Sequence, residues 1–134
     1  MRIIVAVFMV LHGLVHLLYF GQGRKFFELQ PGLVWPEGSW AFSKLLSNEA
    51  VSLLASISCV LAAIGFVAGG VGILARQTWW QATIVVVAAF SAGIFVLFWD
   101  RNMQRLPDKG AIGLLINAAI LVSLLVWQWP NFEF

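Results

Sequence analysis

Apolar positions along this chain fall into four long blocks, Ile3 to Phe20, Ala50 to Leu74, Thr78 to Trp99 and Ala111 to Trp129, none of which contains Lys, Arg, Asp or Glu. A hydrocarbon core of about 30 Å is crossed by roughly 20 helical residues rising about 1.5 Å each, so every block is long enough to span a bilayer. The pattern predicts an all-α fold: an integral membrane four-helix bundle of antiparallel, up-down topology, with residues 1–134 forming a single transmembrane domain. No internal repeat, low-complexity segment or second domain interrupts it.

The breaks between blocks carry turn chemistry. Gly69-Gly70 and Gly72 run into the short Ala75-Arg76-Gln77 link, which predicts that span two ends there and forms a hairpin with span three. Leu106-Pro107-Asp108-Lys109-Gly110 stops the chain before span four, because Pro cannot continue a helix and Gly is free to take positive φ. The first connection, 21–49, is the longest. Pro31-Gly32, Pro36 and Gly38 punctuate it, and residues 39–46, including Trp40-Ala41-Phe42, read as a short surface helix on the headgroups or a lid.

Composition strengthens the membrane reading. Charged residues make up 10% of the chain and hydrophobic residues 61%, with mean hydropathy +0.92, against about 25% charged in soluble domains. The net charge of +2 comes from scattered basic residues without an Arg/Lys run, so a nucleic-acid partner is not expected. Arg2 before an apolar run raises the thought of a signal peptide, but a small-x-small cleavage site is missing, and the segment reads as a retained first span.

Basic residues also set the orientation. Arg24, Lys25, Lys44, Arg101, Arg105 and Lys109 lie on the side of the two long connections, opposite Arg2 and Arg76. The positive-inside rule then places both long loops in the cytoplasm and both termini outside the inner membrane. Trp79, Trp80, Trp127 and Trp129 mark one interface, and Trp35, Trp40 and Trp99 the other. For packing between spans, Gly65-x-x-x-Gly69 and Ala89-x-x-x-Gly93 supply small-residue faces.

Polar residues inside the spans are the candidate chemistry, since each is costly in lipid and tends to face the bundle interior. His12, His16 and Tyr19 share one face of span one; Ser52, Ser56 and Cys59 share one face of span two; Gly113 and Asn117 share one face of span four; span three contributes Ser91 and, at its end, Asp100. His16 lies about 6 Å below Phe20, Asn117 about 10 Å in from Gly110, and Ser52 and Ser56 about 5 to 10 Å in from Glu49. These depths predict a shallow polar cavity opening toward the long loops. His12, His16, Tyr19, Ser52, Ser56 and Asn117 would line it.

Two His one turn apart suit Zn, Cu or non-haem Fe, so His12 and His16 are the candidate metal ligands, with Cys59, Glu49 or Asp100 as further donors. Bis-His haem ligation is awkward from one helix, although one His could hold a haem or chlorin on its open side. A quinone head group is the remaining cofactor, with Tyr19, Ser56 and Asn117 orienting it. The plain alternative is that the imidazoles bond to Ser52, Ser56, Asn117, Tyr19 or neighbouring carbonyls. Ser52 and Ser56 are then expected to bond one turn back on their own helix, with Cys59 acting as a small hydrophobe.

His12-Gly13-Leu14-Val15-His16-Leu17, Trp79-Trp80, Phe98-Trp99-Asp100 and Gly113-Leu114-Leu115-Ile116-Asn117 together resemble an uncharacterised family of small bacterial four-helix membrane proteins, over nearly the whole chain. The layout is also similar to the DoxX-like proteins through His12-Gly13, with His16 where those proteins carry a basic residue. The resemblance implies four helices and a bacterial membrane. An accessory or assembly subunit of a larger membrane complex is the leading expectation, not an enzyme, with other membrane subunits or a second copy as partners. An intramembrane small-molecule site is the alternative, and a small transporter the third choice.

Overall fold

A computed structural model of the chain describes residues 1–23, 45, 47–97 and 111–132. These form four α-helices and no strand: α1 (Arg2–Gly23), α2 (Asn48–Leu74), α3 (Trp80–Leu97) and α4 (Ala111–Leu125). The expected surface helix at 39–46, the turn at Leu106 to Gly110, Trp35, Trp40, Trp99 and Asp100 lie outside the described residues. Within them, Glu49–Leu74 and Trp80–Leu97 are long and apolar enough to cross a membrane, and Arg2–Leu18 and Gly113–Leu125 are shorter apolar helical stretches.

The helix boundaries follow local chemistry. Ser47 caps α2, its hydroxyl accepting from the Ala50 N–H at 3.2 Å, and Glu49 sits in the first turn, where a carboxylate favours the helix dipole. At the far end Gln77 N–H reaches Gly72 O at 2.8 Å and Arg76 N–H reaches Ile73 O at 3.2 Å, with Arg76 at φ 57°. That is a Schellman stop with arginine in the left-handed position that glycine usually takes. A Cβ there costs about 1–2 kcal/mol, so Arg76→Gly is expected to stabilise the protein by about 1 kcal/mol in an unfolding titration.

Span two thus ends at Leu74, just ahead of the expected Ala75-Arg76-Gln77 link, and Gly69, Gly70 and Gly72 lie inside α2 and serve packing, the role expected of Gly69. A Cβ on Gly70 would sit 2.7 Å from Val10 Cγ2 and 2.9 Å from Ala6 O, and one on Gly13 would sit 2.7 Å from Phe66 Cβ and 3.1 Å from Ala63 O. Backbone thus rides on backbone between α1 and α2. Towards α3, Gly65 meets Val87, Gly69 meets Ile84, and Gly72 meets Trp79 and Trp80.

Gly93 differs from these, because a Cβ there would meet nothing within 4 Å. Its expected role in a small-residue packing face is not used among the described residues. Gly93→Ala is therefore expected to stabilise the helix by up to about 1 kcal/mol, whereas Gly70→Ala overpacks a backbone contact and should cost about 1–3 kcal/mol. Equal effects of the two substitutions on unfolding in mixed micelles would refute this assignment.

Close backbone approach occurs between α1 and α2, α2 and α3, and α3 and α4. The core between them is built from Ala6, Met9, Val51, Ala55, Cys59, Ala62, Phe66, Ile84, Ala88, Phe95, Ile120 and Leu124. After α4 the chain turns back, Trp129 N–H bonding to Ser123 O at 2.8 Å, and Phe132 comes to rest 5.5 Å from Trp80. The final block is consequently helical only to Leu125, and its Trp127 and Trp129 stand exposed beyond the helix end.

Candidate functional site: a polar ring between three helices

Beside the face of α1 that Gly13 seats on α2 stand His12 and His16, which pack against Phe66 of α2 and reach α4 and α3. His12 Nε2 lies 2.8 Å from Asn117 Oδ1, Asn117 Nδ2 donates to Ser91 Oγ at 2.8 Å, Ser91 Oγ lies 2.6 Å from His16 Nε2, and His16 Nδ1 lies 3.0 Å from the His12 carbonyl. Four side chains from three helices close one circuit.

Proton positions follow from what each atom can do. The His12 carbonyl only accepts, so His16 carries its proton on Nδ1 and its Nε2 must accept from the Ser91 hydroxyl. Ser91 in turn accepts from the Asn117 amide, and Asn117 Oδ1 accepts from His12, which is protonated at Nε2. Both imidazoles are neutral in this scheme, in opposite tautomers, and every bond has one donor and one acceptor. Buried polar groups are tolerated when paired in this way and expensive when not.

Aromatic rings seal the circuit. Phe66 packs edge-on against His12 at 4.7 Å and lies near-parallel to His16 at 5.5 Å; Phe95 covers His16 at 5.9 Å, and Phe8 stacks beside His12 at 6.0 Å. The two His rings meet each other edge to face at 5.4 Å. All four polar members are buried, with Ser91 and Asn117 fully enclosed. Phe66 and Phe95 thus pack directly on the two imidazoles. A groove of about 510 Å³ does exist, but it lies on the outer face of α2 and α3 against Leu61, Gly65, Val86 and Phe90.

α1 runs on past Phe20 to Gly23. His16 is about 10 Å from that end, Ser91 about 9 Å from the end of α3 at Leu97, and Asn117 about 9 Å from the start of α4 at Ala111. The three helices therefore deliver their polar residues at one level.

Of the residues proposed from sequence, the structure brings together His12, His16 and Asn117. Ser56 is buried, but its hydroxyl donates to the Ser52 carbonyl at 2.8 Å, one turn back on α2. Tyr19 falls on α1, and its side chain lies outside the described part. Ser91 is the member whose importance sequence reasoning underrated: after Thr83 it is the one polar side chain in the rest of α3, and that isolation was the available signal.

Chemically, the two Nε2 atoms point to separate partners, and among the described residues no group of three or more His, Cys, Asp or Glu converges to hold a metal ion. The pair Ser91 and His16, with His16 oriented through Nδ1, has the hydrogen-bond spacing of a nucleophile and its base. Ser91, however, has no exposed surface, and Asn117 occupies a second side of its oxygen. What this arrangement does as it stands is bind helices to one another. Compared with known proteins, the chain matches no family model, no curated protein and no solved structure.

Proposed function

We propose that this chain is an integral inner-membrane protein, an antiparallel up-down four-helix bundle that acts as an accessory or assembly subunit of a larger membrane complex. The observation that carries the reading is the outer surface. Ile3, Ile4 and Leu11 on α1, Ile57 and Ile64 on α2, Val86 and Phe90 on α3, and Leu115 and Leu125 on α4 are all exposed. An apolar surface on the outward faces of every helix is an aggregation hazard in water and an ordinary one in lipid or against another membrane subunit.

Backbone propensity supports the same environment. α3 stays helical through Thr83-Ile84-Val85-Val86-Val87, a β-branched run that water would disfavour in a helix. In a bilayer every backbone group must be satisfied within the segment, which forces the helix regardless of propensity. The contact registers fit an up-down topology: as α2 advances from Gly65 through Gly69 to Gly72, its α3 partners recede from Val87 through Ile84 to Trp80. Gln81 bonding to Leu124 O while Gly113 faces Phe95 repeats that opposition for α3 and α4. The excess of basic residues in 21–49 and 100–110 supports a cytoplasmic side for those connections.

The subunit role rests on the self-satisfied polar ring, which turns the interior inward and leaves the aromatic and aliphatic outside for partners. Native mass spectrometry of the protein extracted from its own membrane in mild detergent tests it. The expected result is a mass well above 14.8 kDa that resolves into other polypeptides. A lone chain, or a chain with a discrete small adduct lost in His12→Leu, would sink the subunit reading; the adduct would replace it with a small-molecule site. Release of the chain from membranes by alkaline carbonate would overturn the bilayer assignment itself.

A further inference from the structure

Three of the seams in this bundle and the fourth are made differently. α1 meets α2 through Gly13 and Gly70, where a side chain would strike backbone oxygen, and α2 meets α3 through Gly65, Gly69 and Gly72. α3 and α4 also approach closely along their backbones. The seam that closes the bundle, α1 against the α3–α4 pair, is instead spanned by side chains: the His12–Asn117 and His16–Ser91 hydrogen bonds, with the Phe66 and Phe95 rings between. These two bonds reach across 105 and 75 residues of chain.

We infer that the ring His12–Asn117–Ser91–His16 is a latch on this fourth seam, and that the bundle opens there while the three glycine- and backbone-packed seams hold. The inference rests on the bilayer reading. In lipid there is no hydrophobic force to press helices together, so close backbone packing and hydrogen bonds carry the association. A seam lacking the first depends on the second. Among the described residues, breaking these two neutral bonds and turning two Phe side chains loosens α1 from α4, whereas separating α1 from α2 would void a close backbone contact. The open state would present the two imidazoles, Ser91 and Asn117 sideways to the membrane near mid-depth, with one donor at His12 Nε2 and one acceptor at His16 Nε2.

Pulsed electron spin resonance on the full chain in phosphatidylcholine bilayers tests this. In a Cys59→Ala background, nitroxides are placed in pairs at four exposed positions: Leu11 on α1, Leu61 on α2, Val86 on α3 and Leu115 on α4. The Leu11–Leu115 distance distribution is expected to be broader than those of Leu11–Leu61 and Val86–Leu115. Asn117→Leu should lengthen and broaden the first pair alone. Three equally narrow distributions in the otherwise native chain overturn the latch, as does equal broadening of all three pairs in Asn117→Leu. The first comparison needs no latch variant to fold. A chain washed from the vesicles by carbonate would instead sink the bilayer reading, so the two failures are distinguishable.

Discussion

Phe66→Ala is expected to destabilise the protein by about 3–5 kcal/mol, the largest single-residue effect in the chain. Phe66 is fully buried, its ring is shared between His12 and His16, and its Cβ is the atom against which Gly13 rides. Truncation removes the ring and leaves a void next to the two imidazoles. Because α1 is already held at backbone distance from α2 by Gly13 and Gly70, the helices cannot slide together to fill it. Phe66→Leu keeps most of the volume and should cost much less. Both values are measurable by unfolding in mixed micelles, and a loss below about 1 kcal/mol for Phe66→Ala would show that the site collapses freely, contrary to the packing described.

Asn117→Leu is expected to cost about 2–4 kcal/mol by breaking the circuit at the α4 residue that accepts from α1 and donates to α3, each orphaned buried group being worth about 1–3 kcal/mol. His12 Nε2 loses its acceptor and Ser91 loses its amide donor. The value falls toward the lower end if the unfolded chain in lipid finds other partners, which is why interhelical bonds in membranes average about 0.6 kcal/mol. A double-mutant cycle separates the terms. His12→Leu with Asn117→Leu should cost clearly less than the sum of the two single substitutions, because the second removes the group that the first orphaned. Strict additivity would mean that the 2.8 Å contact between them contributes nothing.

Much of this site was legible from periodicity and rise. His12 and His16 were placed on one face because i and i+4 stack on a helix, and Asn117 was placed at their level by counting residues from the end of its block. The expectation that Ser56 bonds back to its own helix also matches its contact with the Ser52 carbonyl. Helix ends were less legible, since charge and apolarity mark lipid depth and not the last hydrogen bond. α1 continues past Phe20 to Gly23, while the last block leaves its helix at Leu125.

By itself, the sequence determined that the chain makes four helices, that their outer surface is apolar, and that a handful of polar residues share an inner level. Each of those is a one-dimensional property, readable from the period of a single helix. Only the tertiary structure decided which of the polar residues meet. Ser91 joined the circuit and Ser56 did not, because glycines seat α2 against α1 and α3 at backbone distance and so set its rotation, leaving Ser56 to bond within α2. Gly65 and Gly69 were legible as a packing face, but that Val87 and Ile84 stand opposite them came from the tertiary structure. Periodicity specifies the face of a helix but not its rotation or height against a neighbour, and those come from the fit of one surface into another.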